Sequence, residues 1–209
     1  LFRSVWNIEN ETFVYEHNID ALLAPASLVK LMTAVCAYEV LGDRMDETLT
    51  VEYSMIAAAS GNQVGYYVGE TISIRDLFGG LLTRGANDCA YLLAYAADGG
   101  TDAFVARMNA KAASLGMDAT VYKNPTGMNA EGAATTARDS IRIAAVFNAI
   151  PALTALSGSV QYEMPATNKA TARIIYNRNA LVSRVSETGY FDRSEEHTSE
   201  LQSPYDLVC

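Results

Sequence analysis

The chain has 209 residues, of which half are hydrophobic, and this is enough to bury the core of one large domain. Its formal net charge of −9 argues against nucleic acid as a partner, because nucleic-acid binding requires a basic surface. No apolar run in the sequence approaches the roughly 18–20 residues that cross a bilayer. Three cysteines do not make a disulfide framework, so we expect Cys36 and Cys89 to be small buried hydrophobic residues.

Apolar periodicity and turn residues predict helices in the middle of the chain and strands towards both ends. A β-hairpin is predicted first, and the further strands follow at four places. The predicted strands are residues 2–8, 12–16, 48–51, 121–122, 158–164 and 172–176. The predicted helices are residues 27–41, 73 to about 84, 88–97, 101–115 with Thr101 as its N-cap, 136–148 with Thr136 as its N-cap, and a short one from 151. This arrangement is typical of the α+β class.

The last part of the sequence differs from the rest. From Arg193 to Ser203 it resembles the in-frame translation of a common sequencing-library adapter, and the apolar periodicity stops there. We therefore expect residues 193–209 to be a non-native tail and exclude them from the fold prediction. The expected domain is residues 1–192, a fragment cut at both ends.

The segment from Ser27 to Lys30 carries the strongest chemical signal. A hydroxyl and an amine three residues apart lie on one face of a helix, a single turn from each other. A serine becomes a nucleophile when a neighbouring amine, kept uncharged by burial, takes its proton. The same spacing arises by chance on surface helices, but here Leu31, Met32 and Val35 make the segment apolar. The sequence therefore predicts a serine–lysine catalytic pair.

The string from Pro25 to Thr33 resembles the active-site motif of serine-type D-alanyl-D-alanine carboxypeptidases, the low-molecular-weight penicillin-binding proteins. The likeness continues in order along the chain. It covers residues 14–18, 69–77, 85–88, 115–117, 124–128 and 136–139, and it is looser over residues 140–192. The resemblance implies a β-lactamase/transpeptidase-like α+β fold, with a helical cluster packed on an antiparallel sheet that is incomplete in this fragment.

The resemblance also implies roles for three residues. Ser27 is the acylated nucleophile, Lys30 is its proton acceptor, and Asn87 hydrogen-bonds the peptide group of the substrate. The family's S-x-N motif has Gly85 in the place of its serine, which removes a hydroxyl that relays the leaving-group proton. Asn87 has an alternative interpretation as a helix cap. An S-x-N sequence also begins at Ser60. It lies upstream of the segment that resembles the family's second motif, so we interpret it as a chance match without a catalytic role.

The family's third motif, K-T-G, has only one candidate, the segment Glu187-Thr188-Gly189. Glutamate reverses the charge that receives the terminal carboxylate of the substrate. We therefore expect the true motif to have followed Asp192 and to be absent from this chain. One of the two oxyanion-hole N–H groups, which the same strand supplies in the family, is then expected to be absent as well. The activity of this fragment is expected to be weak or absent.

The parent protein is expected to remove the terminal D-alanine from peptidoglycan stem peptides through an acyl-enzyme, and to be inhibited by β-lactams. No metal or organic cofactor is implied. Because peptidoglycan lies outside the cytoplasmic membrane, the parent protein is expected to be exported to the periplasm or cell surface. Membrane association through segments that this chain lacks is left open.

Two other functions remain as alternatives. A class A-like β-lactamase shares the serine–lysine pair but needs a glutamate to activate water, and Glu131 is the candidate, with an exposed loop charge as the simpler interpretation. A non-catalytic peptidoglycan-binding relative is suggested by Gly85 and by the absent K-T-G motif.

Overall fold

A computed structural model describes residues 3–179 and residue 182. The described part contains seven α-helices and six strands. The helices are α1 (Val29–Leu41), α2 (Tyr53–Ile56), α3 (Ile74–Gly79), α4 (Asn87–Asp98), α5 (Thr101–Ser114), α6 (Ala137–Asn148) and α7 (Pro151–Ser157). The strands are β1 (Arg3–Asn7), β2 (Thr12–His17), β3 (Thr48–Thr50), β4 (Thr71–Ser73), β5 (Gln161–Met164) and β6 (Arg173–Tyr176). The predicted α+β class is confirmed.

Helix α1 is the centre of the core. Its side chains are apolar on nearly every face, and those of Met32, Ala34, Val35 and Cys36 are 0% exposed. A helix that is apolar all round must be covered on all sides. Accordingly, α1 packs against α4, α5 and α6. This packing also draws Lys30, the second residue of α1, into the interior.

The strands form three separate antiparallel pairs in the described residues: β1 with β2, β3 with β4, and β5 with β6. The predicted antiparallel pairing is observed, and no continuous sheet joins the three pairs within the described residues, where the sheet was expected to be incomplete. Alternation of polar and apolar residues predicts where strands lie, but it does not determine which strands pair. Residues 121–122 form only an isolated bridge, from Val121 to Ala134.

The predicted helix starts are mostly confirmed, with two differences. Thr136 caps α6 as predicted, since its hydroxyl accepts a 3.1 Å hydrogen bond from the backbone N–H of Asp139. Thr101 is instead the first residue of α5, and Gly100 occupies the cap position. Ser27 lies in a 3₁₀ turn, Ala26–Leu28, that leads into α1 and is not part of it. Such turns are frequent at helix N-termini.

Two predictions from composition concern the cysteines and the membrane. Cys36 and Cys89 are both free and buried, as predicted. Burial raises the pKa of the Cys36 thiol to about 12, so this thiol is unreactive at neutral pH. Within residues 3–179, no single helix has the length and apolar character to cross a membrane. Helices α6 and α7 have that length and apolar character only when they are taken together, and they are bent by 103° relative to each other.

Candidate active site

One cavity of about 470 Å³ brings together the three residues that the sequence predicts to be catalytic. Ser27, Lys30 and Asn87 all line it, although Asn87 is remote from the other two in sequence. Gly85 lines the same cavity, as does Arg178, which follows β6. The fold therefore assembles the predicted site from the start of α1, the start of α4 and the segment after the last described strand.

Ser27 is exposed to the cavity, and its backbone is held by an unusual contact. The preceding residue, Ala26, has a φ of 45°, which is uncommon for a residue with a side chain. Gly127, with a φ of +79°, packs against the Ala26 carbonyl so closely that a Cβ atom at this glycine would overlap the carbonyl oxygen. A glycine is thus required at position 127, and the contact fixes the backbone that presents the Ser27 hydroxyl.

Lys30 is 8% exposed and has no carboxylate partner in the described residues. Its amine donates a 2.7 Å hydrogen bond to the backbone carbonyl of Thr126. Burial, with a smaller contribution from the positive charge of Arg178, lowers the pKa of Lys30 to about 8. The uncharged amine is therefore well populated at mildly alkaline pH and can act as a base.

No direct hydrogen bond joins Ser27 Oγ and Lys30 Nζ in the described part of the chain. The two residues share the cavity, but the amine is directed to the Thr126 carbonyl. Catalytic hydrogen bonds are often long or unformed in the absence of substrate. The neutral amine keeps a lone pair after donating to Thr126, and this lone pair can accept the Ser27 proton.

The turn from Asn124 to Gly127 is held against α1 by polar contacts. Asn124 Oδ1 accepts hydrogen bonds from the backbone N–H groups of Thr126 at 3.1 Å and Gly127 at 2.8 Å. The hydroxyl of Thr33, one turn after Lys30, donates a 2.7 Å hydrogen bond to the Pro125 carbonyl. The family likeness in the sequence includes this turn, but its contact with Lys30 comes only from the fold.

Asn87 is 4% exposed and has one unused acceptor. Its Nδ2 donates to the Ser60 carbonyl at 2.6 Å, and its backbone N–H donates to the Asn62 carbonyl at 2.7 Å. Its Oδ1 is buried and has no partner in the described residues. The residue is the first of α4 and makes no capping hydrogen bond, so the helix-cap alternative is not observed. A buried unpaired oxygen is expensive unless a ligand N–H binds it.

The loop from Ser60 to Gly65 forms the wall beside Asn87. Asp88, which is 1% exposed, holds this loop by accepting hydrogen bonds from the backbone N–H groups of Val64 at 3.1 Å and Gly65 at 2.8 Å. The side chain of Ser60 is exposed and does not line the cavity, so only its carbonyl contacts the site. Ser60 thus contributes only its backbone carbonyl to the site, and its hydroxyl is not placed to replace the serine that is missing at position 85.

Gly85 has a φ of +69°, in the left-handed region, and it lines the cavity beside Asn87. A Cβ atom built on it would lie 3.7 Å from Asn62 Nδ2, which is ordinary contact. Asn62 Nδ2 donates a short hydrogen bond to the Arg84 carbonyl. No side chain at position 85 supplies the hydroxyl that the family pattern carries there.

Three further residues bear on the sequence predictions. Glu131 lies outside the Ser27 cavity and lines a second cavity of about 260 Å³, so it is not placed to activate water at Ser27. The β-lactamase alternative is therefore not favoured. Glu187 lies outside the described residues. Arg178 was not predicted to be in the site, because a single arginine after a strand carries no local signal of its tertiary position.

Comparison with known proteins identifies the family. A family model described as D-alanyl-D-alanine carboxypeptidase matches residues 5–194. The chain is 31% identical over 160 residues to the D-alanyl-D-alanine carboxypeptidase DacF of Bacillus subtilis, covering 74% of this chain and 41% of that protein. It is 31% identical over 207 residues to a D-alanyl-D-alanine endopeptidase of Pseudomonas aeruginosa, covering 93% and 66%. The chain thus spans between two fifths and two thirds of these relatives.

Solved structures show the same relationship in three dimensions. A D-alanyl-D-alanine carboxypeptidase from Mycobacterium tuberculosis superposes with a TM-score of 0.80 at 29% identity, covering 88% of this chain and 68% of that one. The Streptomyces K15 DD-transpeptidase superposes with a TM-score of 0.79 at 23% identity, covering 88% and 75%, which supports the fold alone. On the sequence motifs, the cavity and these comparisons, the chain belongs to the D-alanyl-D-alanine carboxypeptidase family of serine peptidases.

Proposed function

We propose that this chain is the catalytic part of a serine D-Ala-D-Ala carboxypeptidase that removes the terminal D-alanine from peptidoglycan stem peptides. One observation carries the proposal: the buried amine of Lys30, with a pKa of about 8, shares a cavity with the exposed hydroxyl of Ser27. A lysine that loses its proton near neutral pH can activate a serine, whereas an ordinary surface lysine cannot.

Acylation begins when the neutral amine of Lys30 accepts the hydroxyl proton of Ser27. The serine oxygen then bonds to the carbonyl carbon of the penultimate D-alanine. The bond from this carbon to the terminal amide nitrogen breaks, and the leaving nitrogen takes a proton back from the Lys30 ammonium. The products are free D-alanine and an ester on Ser27, with Lys30 neutral again.

Three features of the cavity support binding of the substrate and of the transition state. Asn87 Oδ1 is an unused acceptor and would bind a peptide N–H of the substrate. The backbone N–H of Ser27 lies at the start of a helical segment, where the peptide dipoles stabilise negative charge on the attacked carbonyl oxygen. Arg178 in the same cavity offers a positive charge to the terminal carboxylate.

Deacylation requires water to attack the ester while Lys30 accepts a proton from it. Gly85 leaves no side-chain hydroxyl next to Asn87 to assist proton relay. We therefore propose that turnover of peptide substrates by this chain is slow even though Ser27 can still be acylated. β-Lactams, which resemble the D-Ala-D-Ala end, would acylate the same serine and persist. The site of action follows from the substrate: peptidoglycan lies outside the cytoplasmic membrane.

Labelling with a fluorescent penicillin tests the proposal, with the Ser27→Ala protein as the control. We expect a stable covalent label on the wild-type chain and none on the variant. Absence of label on both would indicate a non-catalytic peptidoglycan-binding relative. Rapid hydrolysis of a chromogenic cephalosporin without a lasting label would indicate a β-lactamase. Release of D-alanine from a diacyl-Lys-D-Ala-D-Ala peptide measures turnover, and we expect it to be slow.

A further inference from the structure

The cavity that holds Ser27 has a second hydroxyl group that the fold leaves unused. Besides Ser27, three residues with hydroxyl side chains line it: Thr83, Thr126 and Ser157. The Thr126 hydroxyl donates a 2.9 Å hydrogen bond to Asn124 Oδ1, and that of Ser157 donates at 3.1 Å to a carbonyl of α7. Thr83 Oγ1 is buried and has no hydrogen-bond partner among the described residues. Its hydrogen and its lone pairs are therefore available to a ligand.

An unpaired hydroxyl is unusual for a side chain as buried as that of Thr83, which is 2% exposed. Among the described residues, three buried side-chain oxygens lack a partner, and they belong to Ser4, Thr83 and Asn87. Two of the three line the Ser27 cavity. Because an unsatisfied buried polar group is expensive, it calls for a functional explanation. The acceptor of Asn87 suits a substrate N–H, and the hydroxyl of Thr83 needs a role of its own.

The backbone around Thr83 is irregular and is tied to the opposite wall of the cavity. Thr83 belongs to Gly80–Arg84, a π-helical turn between α3 and α4, and such turns are frequent at functional sites. Its carbonyl accepts a 3.3 Å hydrogen bond from the backbone N–H of Arg178. Thr83 also lies two residues before Gly85, where the family pattern carries a hydroxyl that this chain lacks. The fold thus places a different hydroxyl in the same wall.

The chemistry of the cavity requires a proton at the leaving nitrogen, because an amide nitrogen leaves poorly until it is protonated. The proton that Ser27 gives up is held on Lys30, whose amine also donates to the Thr126 carbonyl. A hydroxyl can accept one proton while it donates another. It can therefore carry the proton from the ammonium to a nitrogen that the ammonium does not reach directly.

We propose that the Thr83 hydroxyl is the proton relay of this chain, an inference that rests on the proposed function. As the bond from the acyl carbon to the terminal nitrogen breaks, Thr83 Oγ1 gives its hydrogen to that nitrogen and takes one from the Lys30 ammonium. D-Alanine then leaves, Lys30 is neutral again and Thr83 is unchanged. A relay from this position replaces the serine only in part, which agrees with slow turnover.

Two substrates that differ only in the leaving atom test the relay: diacyl-Lys-D-Ala-D-Ala, with an N–H, and diacyl-Lys-D-Ala-D-lactate, with an oxygen. An alkoxide leaves with far less help from a proton than an amide nitrogen does. The measured quantity is kcat/KM for release of D-alanine or D-lactate, since it covers the steps up to the acyl-enzyme. We expect Thr83→Val to lower it at least about tenfold for the peptide and less than about threefold for the ester. Thr83→Ser keeps the hydroxyl and should stay within about threefold of wild type on both.

Ser4→Ala is the matched control, because it removes another buried, unpaired hydroxyl, from β1 outside the cavity. It should change neither rate. Thr83→Val should unfold thermally at or above the wild-type temperature, since valine has the shape of threonine and removes an unsatisfied oxygen. Losses that are equal on the two substrates, or absent on both, would overturn the relay alone. If the wild-type chain releases neither D-alanine nor D-lactate through Ser27, the proposed function is refuted and the relay with it.

Discussion

The amine of Lys30 donates its hydrogen bond to a backbone carbonyl, that of Thr126, at 2.7 Å. A carboxylate in that position would stabilise the ammonium and raise the pKa of the lysine. A carbonyl carries no net charge, so burial dominates and the pKa falls to about 8. The turn that presents this carbonyl thus satisfies one N–H of the amine without supplying a counter-charge.

The first prediction is a pH dependence of acylation. Because the neutral amine is the base, the rate constant for penicillin labelling should rise about tenfold per pH unit below pH 8 and level off above it. Stopped-flow measurements of labelling between pH 5.5 and about 9.5 give the profile. A rate independent of pH over this range would contradict the role of Lys30 as the base.

The positive charge of Arg178 contributes to the low pKa of Lys30, and this gives a second test. Arg178→Gln removes the charge, so the midpoint of the same profile should move to higher pH, whatever the change in its plateau. Arg44→Gln makes the same charge change at an exposed residue that pairs with Glu47, and its midpoint should equal wild type. Coincident midpoints for all three proteins would show that Arg178 does not influence the lysine.

A related prediction concerns stability. The pKa of Lys30 is about 8 in the folded chain and near 10.5 when unfolded, so the unfolded chain binds the proton more tightly. The loss of folding free energy caused by burying the charged amine is fully present below pH 8 and disappears as the pH rises to 10.5. Relative to Lys30→Met, the wild-type free energy of unfolding should therefore increase by at most about 3 kcal/mol over this interval. Urea unfolding of both proteins at several pH values measures it, and a constant difference would contradict the buried amine.

Burial of Lys30 could be predicted from sequence because its neighbours Leu31 and Met32 are apolar and α1 has no polar face. The residues that meet α1 at the candidate site could be predicted only in part. Asn87 was predicted because it stands in the register of a known motif, yet the Thr126 carbonyl lies 96 residues from Lys30 and reaches it through tertiary packing. No local pattern encodes a contact of that separation.

The backbone at Ser27 shows a second limit of sequence patterns. A positive φ at Ala26 contradicts the preference of alanine, so no propensity would predict it. In the fold, the carbonyl of Ala26 lies against Gly127, which is distant in sequence. Similarly, only the pairing of β1 with β2 was predicted, as a hairpin. Strand β4 was not predicted at all, and neither was the division of the described strands into three separate pairs. Conformations that depend on distant contacts are those that the sequence does not reveal.

The unpaired oxygen of Asn87 predicts that activity and stability respond differently to mutation. Asn87→Ala removes the acceptor for the substrate N–H, so acylation by a peptide substrate should fall about tenfold. Its stability should change little, because the loss of the hydrogen bond to Ser60 is offset by removal of a buried unsatisfied oxygen.

Asn109 is the matched control for this prediction. Its side chain donates to the carbonyls of Val105 and Tyr122 and accepts from the Tyr122 N–H, so all its capacity is used within the fold. Asn109→Ala should lower the free energy of unfolding by about 1–3 kcal/mol and leave the acylation rate of the folded protein unchanged. Equal effects of the two substitutions on acylation would indicate that Asn87 is structural.

The contact between Gly127 and the Ala26 carbonyl leads to the last prediction. A methyl group at position 127 overlaps that carbonyl, so Gly127→Ala must shift the backbone immediately before Ser27. Gly99 also has a left-handed φ, +73°, but nothing lies within 4 Å of a Cβ atom built there. Gly99→Ala should therefore cost only the conformational strain, about 1 kcal/mol, with normal penicillin labelling. Gly127→Ala should cost more than this and slow labelling at least tenfold, because a misplaced nucleophile loses its attack geometry. If thermal unfolding and labelling rates change equally in the two variants, the contact does not position Ser27.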